Sequence, residues 1–448
     1  METALPPVFG KEMEVEASQP IPPDTGIGFF ISGKRRKPMK GFFKVHTPDE
    51  LLRKLGRFIA LSAEKIPVEE SLHRVLAEEI ISSVNLPEFP RSTVDGFALK
   101  AKDTYGVSEK NPGIVRVVGE ILMGQLSDIE IHEGEAVKVA TGGLVPKGAE
   151  AVEMVEYTEW VDAETLHLFK TISPLENVIQ RGEDIKAGEK VLPRGRRIRP
   201  QEIGLMAGIG KTEVNVFLRP RVGIISSGDE IIPIQKIPTS GEIRDINRYA
   251  IGSMVRESDG LPVFLGIAKD RFEALREEMD RGLRETDMVI VTGGSSVGML
   301  DMTLDVVQSF AGSELIAHGV SVRPGKPTLV ADIDGKPFLG LPGHPVSAMV
   351  IFHLFGKPIL RTLSGLPREE AFRQNRTKVR AARNIPSVAG REDYVRVRLE
   401  EKDGTLWAHP LFGKSGAIGH FAQADGLLKI GLHEEGLEEG EEAEVILL

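Results

Sequence analysis

The chain has 448 residues, 41% hydrophobic and 27% charged, which suits a globular protein of three or four domains and not one core. A formal charge of −10, with two Trp and four Tyr, argues against a basic or aromatic surface for nucleic acid. The absence of Cys removes disulfides, thiolate metal sites and cysteine nucleophiles together, and agrees with a cytoplasmic setting.

Residues 1–44 are rich in proline and charge, lack the pattern of a signal peptide, and carry a basic cluster, Lys34-Arg35-Arg36-Lys37. Such a segment buries little apolar surface, so a disordered extension is expected. The cluster reads either as a solvated tail or as a contact for an acidic partner. Thr47-Pro48-Asp49-Glu50 then combines an N-cap, a first-turn proline and a capping-box Glu. Leu51, Leu52, Leu55, Phe58 and Ile59 follow at helical spacing. A second helix is predicted over 71–80, with Leu72, Val75 and Leu76 inward. From 90 to 165 short alternating strands separated by glycines predict a small β domain, inserted between 45–89 and 166–218. Strands and helices alternate over 219–367, which predicts parallel βαβ units, and 368–448 reads as a compact β domain. The longest apolar stretch, 346–355, is too short for a bilayer, so no membrane partner is expected.

Four glycine- and proline-rich turns punctuate the α/β region: 226–230, 292–298, 323–328 and 340–347. Glycine allows close backbone approach, and free N–H groups beside a helix start cradle anionic oxygens. Asp229 and Glu230, Asp270 and Asp301 each follow a predicted strand, where doubly wound sheets bind ligands. Each Asp also reads as a helix N-cap, and convergence on one rim is what favours a site. Carboxylates facing a phosphate need a cation between them, and Mg²⁺ suits one or two carboxylates completed by ligand oxygens. Arg323 and Lys326 add positive charge for an oxyanion. His344 reads equally as a ligand contact or a turn filler. Neither a Gly-x-Ser-x-Gly elbow nor the dinucleotide fingerprint is present.

These four turns, with Thr93-Val94-Asp95-Gly96-Phe97-Ala98 and Arg181-Gly182-Glu183-Asp184-Ile185, resemble the molybdopterin molybdenumtransferase family, which includes bacterial MoeA and the gephyrin E domain. The resemblance covers residue 45 to the end. It implies a multidomain α/β plus β fold: a MogA-like central domain, an elongated linker and dimerisation domain over 45–89 and 166–218, an inserted small β domain and a C-terminal β-barrel-like domain. It implies a Mg²⁺-dependent cytoplasmic homodimer that inserts molybdate into adenylylated molybdopterin with release of AMP. Transient contact with the adenylyltransferase that supplies the substrate is also implied.

By motif, the resemblance makes Asp95, Asp184, Glu230, Asp270 and Asp301 the acidic site residues, with Glu230, Asp270 and Asp301 nearest the metal. Ligand contacts fall to Gly228, Gly293, Gly294, Ser296 and Gly298 in the first two turns. Arg323, Pro324, Gly325 and Lys326 follow in the third, and Pro342, Gly343, Pro345 and Ser347 in the fourth. Thr141 and Ser415 match the molybdate end. Arg323, Ser295, His344 and Val94 depart from the commoner Lys, Val, Asn and Met. Two rival readings remain: a CinA-like pyrophosphate-cleaving enzyme on the same α/β fold, and a non-catalytic molybdopterin-binding scaffold.

Overall fold

Thr47 caps the first helix as its sequence requires. In the computed structural model, which describes residues 45–293 and 297–448, its side chain accepts from Glu50 N while Glu50 accepts from Thr47 N. The basic cluster, the rest of 1–44, and Gly294, Ser295 and Ser296 lie outside the described residues. Helix α1 (Pro48–Leu55) buries Leu51 and Leu55 and ends sooner than the spacing suggests, leaving Ile59 79% exposed.

Strand β1 (Ala63–Pro67) leads to 71–80, where no helix forms. The N–H groups of His73, Leu76 and Ala77 donate to Ile198, Arg196 and Asn215 carbonyls, so two distant segments supply what a helix would supply internally. Val75 and Leu76 are buried as expected, but Leu72 points outward. Apolar residues at helical spacing here come from an irregular extended chain that touches neighbours on different sides. The chain then passes into the inserted domain: β2 (Gly96–Leu99), β3 (Gly113–Ile121), β4 (Glu135–Val139), β5 (Ala151–Met154), β6 (Thr158–Trp160) and β7 (Thr165–Leu168). They form one sheet in the order β5-β2-β4-β3-β7-β6 with an apolar cluster on each face. The returning chain adds α2 (Pro200–Gly208) and β8 (Glu213–Phe217), which pairs antiparallel with β1. Val68 and Leu76 from before the insertion share a core with Ile198 and Val214 from after it.

The α/β domain follows: β9 (Arg221–Ser227), α3 (Asn247–Glu257), β10 (Leu261–Ala268), α4 (Phe272–Glu285), β11 (Met288–Thr292), α5 (Val297–Gln308), β12 (Ser313–His318), β13 (Leu329–Ile333), β14 (Lys336–Leu341) and α6 (Pro345–Leu363). Sheet order is β10-β9-β11-β14-β13-β12. The first four strands are parallel, whereas β13 runs antiparallel to both neighbours. The purely parallel expectation therefore fails at one edge, for a local reason. Asp334 and Gly335 both have positive φ (52° and 81°), the geometry of a tight two-residue hairpin. Alternate strand residues divide the cores: Val222, Ile224, Met288 and Ile290 pack with α1, α3 and α6, while Ile225, Val289 and Val291 pack with α4 and α5.

Helix α6 is longer than the sequence suggests. Its 19 residues are apolar enough to cross a membrane, and 83% of that stretch is buried inside the protein, where it serves as a core helix. The C-terminal domain holds β15 (Arg376–Ala381), β16 (Glu392–Lys402), β17 (Thr405–Pro410), α7 (Ile418–Phe421), β18 (Gly426–Ile430) and β19 (Glu442–Leu447). Strands run β16-β17-β15-β19-β18 and back to β16, closing a barrel that leaves no free sheet edge among them.

One buried charge stands out in the inserted domain. Glu153, on β5 opposite Phe97, is fully buried, and its Oε1 accepts only from Met154 N. Its Oε2 has no partner among the described residues. Burial pushes this carboxyl up to about 7, against the lowering influence of Met154 N–H and Lys170, with Glu176 adding to the rise. The folded state therefore holds a proton that the unfolded chain releases near the ordinary 4.5, so stability falls as pH rises from about 4.5 to about 7. Glu153→Gln should raise the unfolding free energy at pH 8 by on the order of 2–3 kcal/mol, and change it little at pH 4. Urea unfolding at the two pH values checks this.

Candidate functional site

Strand register builds the site. Ser227 pairs with Ala268, Ser226 with Thr292, and Thr292 with Leu341, so four parallel strands finish along one edge. The chain leaving each strand is turned at once by a backbone bond across the sheet: Gly228 N to Ala268 O and Gly293 N to Leu341 O, both 3.2 Å. Gly293 has φ 131°, and a Cβ there would lie 2.2 Å from Ser227 O, so only glycine fits. Gly228, Asp229 and Glu230, then Asp270, Gly293, and the turn Pro342-Gly343-His344 thus share one rim.

Each rim carboxylate has its own environment. Asp229 and Glu230 are exposed, and Lys269 Nζ stands 3.8 Å from Asp229 Oδ1. Asp270 is half-buried and accepts a 3.1 Å hydrogen bond from Ser227 Oγ. It is no N-cap: Arg271 holds that position, without a side-chain capping bond. Asp301 lies past the first turn of α5, not at its start, and is exposed. It faces His318 electrostatically; burial holds that imidazole below its usual range and Asp301 opposes the shift. His318 ends β12, which points the same way as β14, and was missed in the sequence because β12 itself was not recognised.

Ser415 reaches the rim from the barrel domain. Its Oγ lies 3.0 Å from His344 Nδ1, and its carbonyl accepts from Val346 N at 3.2 Å. Pro342, Pro345 and Ser347 are buried around this junction. Arg323 is exposed and tied at one nitrogen: Val322–Arg323 pairs with Glu392–Asp393 of the barrel, and Arg323 Nη1 lies 3.3 Å from Asp393 Oδ2. Gly325, with φ 122°, would drive a Cβ to 2.4 Å from Ile351. Pro324 is half-buried beside it, and Lys326 is exposed without a carboxylate partner among the described residues. Gly298 lies in the first turn of α5.

A second group stands on the other two domains. Thr141 donates to Asp95 Oδ1 through its backbone N (2.7 Å) and Oγ1 (3.0 Å), which together hold the Asp95 carboxyl below its usual range. Asp184 is exposed on a turn whose backbone is tied to Leu86. Among the described residues no hydrogen bond or ion pair joins Asp95, Thr141 or Asp184 to the rim, and no three His, Asp or Glu side chains form a metal-holding cluster. Glu230, Asp270 and Asp301 are therefore not a self-sufficient triad.

The structure also adds residues that sequence reading passed over. Ser226 Oγ donates to Asp245 Oδ2 at 2.6 Å, and Asp245 Oδ1 accepts from Arg248 N. Asn247 Nδ2 donates to Gly343 O at 2.9 Å. The signal was the polar pair flanking Ile246 just ahead of the apolar run of α3.

Known proteins match this arrangement domain by domain. Family models match residues 46–210 (MoeA N-terminal region, domains I and II), 223–362 (probable molybdopterin binding domain) and 378–448 (MoeA C-terminal region, domain IV). A putative molybdopterin biosynthesis protein of Methanocaldococcus jannaschii is 32% identical over 93% of this chain and 99% of its own length. The molybdopterin molybdenumtransferase of Bacillus subtilis is 31% identical over 89% of this chain and 93% of its own. A crystal structure of a MoeA molybdopterin biosynthesis protein from Pyrococcus horikoshii is 34% identical, with TM-score 0.78, covering 90% of this chain and 99% of that one.

Thr141→Val would delete one of the two hydrogen bonds to Asp95 and keep the backbone one. The Asp95 pKa should then rise partway toward the ordinary carboxylate value, as read by carbon NMR titration of the side-chain carboxyl.

Proposed function

Because the chain belongs to the molybdopterin molybdenumtransferase (MoeA) family, we propose that it transfers molybdenum from molybdate to adenylylated molybdopterin and releases AMP. The observation that carries this reading is the common rim, where strand register gathers Asp270, Gly293 and the Pro342–His344 turn and the barrel adds Ser415. Opening the phosphoanhydride adds an oxygen at phosphorus and sends negative charge to the departing phosphate. Lys326 and the turn backbone supply positive potential there. Asp270, with one oxygen held by Ser227, keeps its other oxygen for a cation or a water. The Ser415–His344 pair offers a hydroxyl to a tetrahedral oxyanion.

The donor set fits magnesium. Hard carboxylate oxygens at Glu230, Asp270 and Asp301 are exposed or half-buried, and fewer than three are needed when substrate oxygens and waters complete the shell. When bound, magnesium supplies a hard cation that offsets repulsion between these carboxylates and the phosphates.

Asp95, Thr141 and Asp184 belong to the same reaction in this reading, supplied to the rim by a second subunit of a homodimer. The enzyme is cytoplasmic, and the adenylyltransferase that makes its substrate contacts it transiently.

Purified protein should release AMP from adenylylated molybdopterin only when molybdate and Mg²⁺ are both present, and Asp301→Asn should lower kcat by roughly 100-fold. No AMP release under those conditions overturns the activity. The shared site has its own check. Equal mixing of inactive Asp95→Asn and Asp270→Asn subunits should restore about a quarter of wild-type activity, since half the dimers then carry one intact site.

A further inference from the structure

A buried polar layer lies beneath the rim, on the face that packs against α3 and α6. Ser226, Asp245 and Asn247 are 2%, 3% and 8% exposed, and Thr292 is 2% exposed. Ser226 and Asp245 bind each other, and Asp245 holds the start of α3. That fixes Asn247, whose Nδ2 reaches past β11 to the Gly343 carbonyl on the far side. The amide orientation is set by this bond, because a carbonyl accepts only from the NH₂ end. Asn247 Oδ1 and Thr292 Oγ1 are buried with no partner among the described residues. Buried polar atoms of this kind are uncommon, and a purely structural amide has little reason to keep one.

The bond to Gly343 has a consequence for the next residue. In a planar trans peptide the C=O and N–H point in opposite directions. Holding the Gly343 carbonyl inward therefore turns the His344 N–H outward, over the rim. That N–H makes no hydrogen bond among the described residues, although its neighbour Val346 N is taken by Ser415. His344 is also the N-cap of α6, where the helix adds positive potential.

We propose that Asn247 is a positioning residue that aims the His344 N–H at a tetrahedral oxyanion, either a substrate phosphate or molybdate. The proposal rests on the molybdenumtransferase reading and assigns Asn247 a task within it. Asn247→Ala loses the bond, and Asn247→Leu fills a similar volume with no polar atom to donate to a carbonyl. Met254→Ala, further along the same helix and buried in the same core, controls for lost stability.

Two measurements separate the outcomes. Calorimetric titration with molybdate and with AMP, which needs no turnover, should show one of the two binding about tenfold more weakly in both Asn247 variants and unchanged in Met254→Ala. Steady-state kinetics should show the matching KM, for molybdate or for adenylylated molybdopterin, raised about tenfold with kcat within about threefold. The weakened ligand identifies the oxyanion. Binding and KM within twofold of wild type for both ligands, or an equal change in Met254→Ala, overturns the proposal. A wild-type protein that binds these ligands and releases no AMP overturns the activity and leaves Asn247 to be judged by calorimetry.

Discussion

The register of four parallel strands is the constraint on which the site depends. It is fixed by burial on both faces: a one-residue slip of β9 or β11 would exchange Ile224 with Ile225, or Ile290 with Val291, between two cores packed by different helices. With register locked, Ser227, Ala268, Thr292 and Leu341 end together, and the connecting chain must turn within one residue. That demand accounts for Gly293, whose φ of 131° and crowding by Ser227 O leave no room for a side chain. The functional turns follow from sheet geometry before any ligand is considered.

Charge on the rim is unbalanced in a way that folding alone does not favour. Lys269 is paired with Asp229 and Arg323 with Asp393, while Lys326 has no carboxylate partner among the described residues. The imbalance is tolerated because Glu230 and Asp301 are exposed, where water screens them. Asp270, the half-buried member, has the Ser227 hydroxyl instead. An anionic substrate brought to this edge meets repulsion unless a cation arrives with it. Glu153 makes the contrasting case: buried on β5 without a cation in hydrogen-bond contact, it answers by holding its proton.

Sequence legibility followed the range of the physics. Capping of α1 was readable because a box is local, and the core strands of the α/β domain were readable as unbroken apolar runs. The stretch 71–80 misled because its spacing mimics a helix while the N–H groups of His73, Leu76 and Ala77 go to residues more than a hundred positions away. The Asp334-Gly335 hairpin was present as a local signal, yet alternation of strands and helices around it favoured a parallel reading. For the site, motif reading named the rim carboxylates, but it could not tell that Asp270 binds Ser227 or that Arg323 pairs with Asp393. Those pairings join residues 43 and 70 positions apart. Asn247 was invisible for the same reason: its worth lies in reaching Gly343, 96 residues on.

The placement of Asp95 and Asp184 follows from how the inserted domain is attached. Two chain crossings, Arg91–Ser92 and Val178–Ile179, pair antiparallel and form a neck. Asp95 lies just beyond one end, where β2 begins, and Asp184 just beyond the other, on a turn tied to Leu86. A domain joined by one strand could swing; one joined by a paired neck has much less freedom, because any rotation must strain two backbones and the hydrogen bonds between them. The separation of the two carboxylates is therefore set by a short rigid element, with Asp95 further fixed by Thr141.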